Sequence, residues 1–189
     1  MRKGAAVCLV LLLSASFALG QLPSGNVYVG YSHTSTNLVP GQSTGLNGWN
    51  GSVEGKLFPF IGLVADFSGH YGSQSVPVAC PLQLLPPCPP QPSNVDVSEY
   101  NFLFGPRVSF KISKFRPFVH ALIGAGHIRE SAAALSNSDT SFADALGGGL
   151  DYHLIPLISW RVQFDALQTR FFNGSQNNLR FSTGIVLNF

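Results

Sequence analysis

The chain has 189 residues, a length that fits one domain, and it is sparing with charge at 11% while carrying 12% aromatic residues. It holds no run of about 18 apolar residues that could cross a membrane as a helix, which leaves a water-soluble domain or a membrane protein built from strands. Of eleven basic residues, Arg2 and Lys3 lie in the leader discussed next; the nine that remain face nine acidic ones, so no basic excess points to nucleic acid.

Residues 1–20 have the layout of a secretory signal peptide. Arg2 and Lys3 form a short basic region, Ala5 to Leu13 an apolar stretch that includes Cys8, and Ala18-Leu19-Gly20 a small-x-small site before Gln21. The mature domain is therefore expected to be residues 21–189.

From Asn26 onward the dominant hydrophobic period is two, the signal of half-buried strands. Asn26 to His33 is a weak first segment. In Trp49 to Leu57, the residues Trp49, Val53 and Leu57 share one face with two glycines, and Asn50, Ser52, Glu54 and Lys56 share the other. Ile61 to Tyr71 sets Ile61, Leu63, Ala65, Phe67 and Tyr71 against Gly62, Asp66, Ser68 and His70.

A long Pro-rich connection follows, containing CPLQLLPPC. In an oxidising compartment Cys80 and Cys88 at this spacing read as a disulfide that clips a surface loop. Zinc would need four ligands, and no histidine lies nearby in sequence.

Tyr100 to Ile112 alternates Tyr100, Phe102, Phe104, Val108, Phe110 and Ile112 with Glu99, Asn101, Arg107, Ser109 and Lys111. Val119, Ala121, Ile123 and Ala125 oppose His120, Gly124 and Gly126. Phe142 to Tyr152 is a weaker segment, where Gly147-Gly148-Gly149 blurs the alternation and leaves the register open. Trp160, Val162, Phe164 and Ala166 oppose Arg161, Gln163 and Asp165; Leu179, Phe181, Ile185, Leu187 and Phe189 oppose Asn178, Arg180, Ser182, Gly184 and Asn188. Eight segments result. Their connections alternate between short turns (Phe58 to Phe60, Ser113 to Pro117, Tyr152 to Leu157) and longer polar loops (Thr34 to Asn47, Gly72 to Asp96, Arg129 to Ser141), with Phe172 to Asn177 intermediate.

This predicts an all-β fold, an eight-stranded antiparallel up-and-down transmembrane β-barrel with short turns at one end and long loops at the other. The polar faces gather Glu54, Asp66, Glu99, Asp151 and Asp165 against Lys56, Arg107, Lys111, Arg161 and Arg180. Such balance suits a narrow, self-neutralising lumen, and it equally suits the solvated face of a soluble sheet. The apolar face decides between them, because it bears Tyr31, Trp49, Tyr71, Tyr100, Phe110 and Trp160 near strand ends, as two interfacial girdles would require. Gln168 and Arg170 share that parity, which implies that the seventh strand leaves the hydrocarbon near Leu167.

The chain ends on Ser182-Thr183-Gly184-Ile185-Val186-Leu187-Asn188-Phe189. Its pattern of polar, x, Gly, x, x, hydrophobic, x, aromatic, at Ser182, Gly184, Leu187 and Phe189, resembles the β-signal by which bacterial outer-membrane proteins engage the barrel-assembly machinery. With LGGGLDY (Leu146 to Tyr152) and WRVQFDALQTRF (Trp160 to Phe171), it makes the mature chain similar to the small outer-membrane barrels that include OmpA transmembrane domains and OmpX-type proteins. The resemblance implies a bacterial outer-membrane location, with outer-membrane lipid and lipopolysaccharide as surroundings. Nothing follows Phe189, so the periplasmic peptidoglycan-binding domain usual in OmpA proteins is not implied.

No catalytic, metal or cofactor pattern stands out. Ser32, His33, Ser68 and His70 are the residues that a lipid A-modifying enzyme could use near the outer leaflet, and His120 and Asp165 share lumen parity and could bond. The expected function is a structural or surface-interaction barrel, its lumen closed by ion pairs and its long loops meeting an extracellular partner, with Leu82, Leu84 and Leu85 of the clipped loop as contact residues. The alternatives are a narrow pore, a lipid A-modifying enzyme, or a secreted soluble barrel binding an apolar ligand.

Overall fold

The computed structural model describes residues 24–39, 42–78, 91–132, 135–170 and 176–189; the leader 1–20 and the Cys80 to Cys88 loop lie outside them. Eight strands follow in order: β1 (Gly25–Val39), β2 (Gln42–Lys56), β3 (Ile61–Val78), β4 (Gln91–Ser109), β5 (Phe115–Ala132), β6 (Leu135–Ile155), β7 (Ile158–Thr169) and β8 (Gln176–Asn188). Each pairs antiparallel with the next, and β8 pairs back on β1 to close the barrel. Around the closed part of the barrel every strand has a neighbour on both sides, so no strand edge is left there.

The turns at one end are tight. Ile112 and Phe115 exchange two backbone hydrogen bonds of 2.7 and 2.9 Å around Ser113-Lys114, with Ser113 in the left-handed region at φ 56°. Phe58 N–H donates to the Ile61 carbonyl at 3.0 Å, and Pro156-Leu157 join β6 to β7. Gly25 and Phe189 lie at this same end, paired by bonds of 2.9 and 3.0 Å.

At the other end the structure departs from the expectation of long loops. β1 and β2 stay paired to Val39↔Gln42, β3 and β4 to Val78↔Gln91, and β5 and β6 to Ala132↔Leu135. Most of Thr34 to Asn47, Gly72 to Asp96 and Arg129 to Ser141 is therefore hydrogen-bonded hairpin. Apolar alternation marks only where a strand borders an apolar medium; the ladder itself needs just a partner strand and continues through Ser- and Asn-rich sequence in water.

The faces divide as the alternation implies. Along β4, Tyr100, Phe102 and Phe104 are exposed while Glu99, Asn101, Leu103 and Arg107 are buried inside. On β3 the outward band runs from Ile61 to Tyr71, about 25 Å tall for strands tilted about 40°. Its rims are aromatic and hydrogen-bonded: the Tyr31 hydroxyl donates to Asn47 at 2.6 Å, Tyr71 to Tyr100 at 3.0 Å, and Trp160 Nε1 to Thr183 at 2.9 Å.

The register of β6, left open by its glycines, is settled by its neighbours. Ala143, Ala145 and Asp151 point inward, and Phe142, Leu146 and Leu150 outward. A Cβ at Gly147 would collide with the Asp165 carboxylate, and one at Gly149 would press on the Phe118 ring. The glycine run makes room for interior side chains of other strands.

Candidate functional site: the sealed lumen and its ends

The interior contains a connected polar network. Near the turn end, Arg107 of β4 donates to Glu54 of β2 at 3.1 Å, and Asn26 of β1 donates to the same carboxylate oxygen at 2.8 Å. Arg161 of β7 grips Asp151 of β6 through Nε at 2.6 Å and Nη2 at 2.9 Å. Both guanidiniums lie over the Phe118 ring, Arg107 at 4.4 Å and Arg161 at 4.7 Å from its centroid, so one π system attracts both cations.

Farther along the axis, Arg180 of β8 bridges two carboxylates. Its Nε donates to Asp165 Oδ2 and its Nη1 to Asp66 Oδ1, both at 2.8 Å, and Nη1 also reaches Ser68 at 3.1 Å. Asn50 donates to the second Asp66 oxygen at 3.0 Å, and Gln163 to Asp165 at 2.8 Å. His120 joins the two clusters, with Nε2 at 2.7 Å from Asp165 and Nδ1 at 3.3 Å from Arg107 Nη2. A neutral ring donating to Asp165 and accepting from Arg107 satisfies both contacts.

The structure thus brings Glu54, Asp66, Asp151, Asp165, Arg107, Arg161 and Arg180 together inside the barrel, all almost wholly buried. Two of the cations expected there lie elsewhere. Lys56 is half-buried at the mouth, and Lys111 is exposed beyond the end of β4, because that strand stops at Ser109 and the chain turns before another inward position is reached. The interior therefore holds five carboxylates against three arginines. Arg180 serves two of them, and the fifth, Glu99, is buried, accepts from Asn101 at 2.9 Å and forms no ion pair among the described residues.

Apolar side chains complete the filling, and the sequence reading missed them. Val64, Leu103, Leu122, Ala143, Ala145 and Leu167 form one buried cluster across β3 to β7, and Leu46, Val97 and Ile128 another toward the hairpin end. They occupy polar-parity positions of amphipathic strands, where a lone leucine looks like noise. Together with the arginines, the largest fully buried side chains, they leave the lumen closed.

Of the residues considered for catalysis, Ser32, Ser68 and His70 are interior and His33 is not. His70 Nε2 lies 2.9 Å from Ser32 Oγ, which is in turn 2.9 Å from Ser182 Oγ. The other His70 nitrogen has no hydrogen-bond partner, so the pair lacks the acidic group that would orient a base. Ser68 is engaged by Arg180, and His33 bonds Asn47 at 2.9 Å on the outer rim. Among the described residues no cluster of three or more His, Cys, Asp or Glu is placed to hold a metal ion. In the terminal motif Ser182 points inward, Gly184 pairs with Gly30, and Leu187 and Phe189 are exposed.

Removing one member of a buried ion pair leaves its partner uncompensated, at a cost of about 3 to 5 kcal/mol. Arg180→Met should therefore lower the denaturant midpoint of refolding sharply, and adding Asp66→Asn and Asp165→Asn should recover part of the loss. Equal stability of Arg180→Met and the parent would contradict the network described.

No family model matches the chain, and neither does any curated protein. Solved structures do. Ail, the attachment invasion locus protein of Yersinia pestis, in complex with the heparin analogue sucrose octasulfate, matches with TM-score 0.62 and 16% identity over 88% of this chain and 99% of its own. Neisserial surface protein A matches with TM-score 0.65 and 11% identity over 87% and 97%. The outer membrane protease OmpT of Escherichia coli matches with TM-score 0.52 and 9% identity over 89% and 98%. An attachment protein and a protease on one architecture leave function to be argued from this chain's own residues; what the chain shares with all three is the fold of a bacterial outer-membrane β-barrel.

Proposed function

We propose that the protein is a bacterial outer-membrane barrel, exported by its leader 1–20, that serves as a rigid surface scaffold whose outer hairpins contact an extracellular partner. The observation that carries this is the pairing of a filled, ion-paired lumen with an apolar exterior. A soluble carrier would need an apolar cavity, and here the interior is occupied by Arg107, Arg161 and Arg180 with their carboxylates. A pore would need a continuous water path past these groups and past Leu46, Val97 and Ile128. An enzyme would need access to a nucleophile, and Ser32 and His70 are fully buried.

The hairpins supply the contact surface. β3 and β4 remain paired from Tyr71 and Ser98 to Val78 and Gln91, so the ribbon stands about 20 Å beyond the aromatic rim. The segment joining them holds Cys80, Cys88 and the apolar Leu82, Leu84 and Leu85, which would form the contact if the disulfide closes the loop. Charge narrows the partner. Asp96, Glu130, Asp139 and Asp144 outnumber Arg129 and Arg170 at this end, which favours a neutral or basic partner over a sulfated glycan of the kind seen with Ail. Lipid and lipopolysaccharide surround the band below.

An epitope placed within residues 79–90 should bind antibody on intact cells while one at Pro156-Leu157 should not, and the purified barrel should be silent in planar bilayers. Labelling of both epitopes, or steady conductance, would contradict the closed, oriented scaffold.

Ser182, Gly184, Leu187 and Phe189 serve as the assembly signal in this reading. An unpaired last strand adds to a receptor edge through its backbone while alternate side chains enter pockets, and the outward Leu187 and Phe189 are placed for that. Deleting Phe189 should impair assembly in cells more than spontaneous refolding into detergent. Equal impairment of both would make Phe189 a packing residue.

A further inference from the structure

The turn end of the barrel carries cations that the lumen does not use. Lys111 and Lys114 sit in the β4–β5 turn, exposed, while Lys56 ends β2 and Arg116 lies at the start of β5, both half-buried at the mouth. The positive charges of Arg116 and Lys111 act on Lys56, and those of all three act on His153. The acidic groups that reach this cluster, Glu54 and Asp151, are already held by Arg107 at 3.1 Å and Arg161 at 2.6 Å. Among the described residues none of Lys56, Lys111, Lys114 and Arg116 forms an ion pair.

The turns beside these cations are apolar where water-facing turns are ordinarily polar. Leu57, Phe58, Phe60, Ile112, Leu154, Ile155 and Leu157 are each more than half exposed. They continue the exterior band past Phe110, Phe115 and Trp160, which puts the turn tips at headgroup depth. Between the β4–β5 and β6–β7 turns lies a recess of about 370 Å³, lined by Lys111, Ser113 and Lys114 of the first turn and by His153, Leu154, Ile155 and Pro156 at the end of β6. The first turn brings two ammonium groups to it, and the second brings mainly apolar side chains.

We propose that this recess binds an anionic glycerophospholipid of the inner leaflet. The ammonium groups of Lys111 and Lys114 take the headgroup phosphate, and Leu154 and Ile155 cover the glycerol and the first acyl carbons. A soluble anion would satisfy the lysines and leave the apolar side chains bare, whereas a neutral lipid would leave the lysines without a counter-charge. The proposal rests on the outer-membrane orientation given above, with the tight turns facing the periplasm.

The test uses the mature chain, residues 21–189, refolded into phosphatidylcholine vesicles containing a minor share of phosphatidylglycerol. Particles are then extracted with their lipid belt, and the retained lipids are counted by mass spectrometry. Phosphatidylglycerol should be enriched around the parent protein, and Lys111→Gln with Lys114→Gln should cut that enrichment at least about fivefold, the contribution of one lysine near an anionic surface. Arg129→Gln, at the opposite end, should leave it unchanged. Equal enrichment for the parent and the double variant would overturn the proposal. So would loss of the bound lipid on adding inorganic phosphate at the lipid's concentration, which would make the recess a site for soluble anions. Heat-dependent gel mobility separates the two levels of the argument: an inserted, heat-shifting barrel with no enrichment sinks the lipid site alone, and a chain that shows no shift sinks the membrane orientation with it.

Discussion

The interior of an eight-stranded barrel is just wide enough for side chains, and in this protein each arginine buried there must find its carboxylate partner within the wall. Arg180, held between Asp66 and Asp165, shows how this is met. Its three members come from β8, β3 and β7, so the ion pairs join strands that are distant in sequence and fix the register of the closed sheet. His120 extends the same constraint to Arg107 and Glu54. Taking such charges out of water is costly unless they are paired and hydrogen-bonded. Here every interior arginine is, and the apolar residues excluded from the interior must face outward.

That inversion gives the molecule three zones along its axis. The middle zone is apolar outside and holds the arginine–carboxylate pairs inside. At the turn end, Lys56, Lys111, Lys114 and Arg116 cluster without carboxylate partners among the described residues. At the hairpin end, Asp96, Glu130, Asp139 and Asp144 exceed the local arginines, while the hairpins carry backbone pairing well past the aromatic rim. The fold supports many activities, so it is this distribution of charge, together with the sealed lumen, that argues for a scaffold making contacts at its two ends.

Much of the fold was legible because alternation reports directly on a wall with two different faces. Phe102 against Asn101, or Trp160 against Arg161, states which side each residue takes whatever the barrel's details. Three things were not legible. Paired strands beyond the membrane leave no apolar signature, so Ser35 and Gly45, which pair across β1 and β2, read as loop. Lys111 shares parity with Arg107, yet the strand ends two residues before it. Phe118 and Leu103 look out of phase until the structure shows an interior with a ring under two guanidiniums and an apolar cluster beside them. Arg107 and His120 are direct partners across the tight β4–β5 hairpin, so that contact follows from the turn, whereas the meeting of His120 with Asp165, which share lumen parity, also needs the stagger of β5 against β7, which no single-strand pattern encodes.

The central claim, that the apolar face meets lipid and the polar face is sealed inside, can be tested with the chain's two natural tryptophans. Trp49 and Trp160 both point outward, 44% and 47% exposed, at opposite rims of the apolar band. The measurement is tryptophan quenching of the refolded mature chain in vesicles whose lipids carry bromine at shallow or deep acyl positions, with acrylamide as the aqueous quencher. Strong quenching by shallow bromines, weaker quenching by deep ones and little by acrylamide is the expected result, since girdle tryptophans sit at the interface. Ready quenching by acrylamide with no response to brominated lipid, from a chain that stays soluble without detergent, would contradict it.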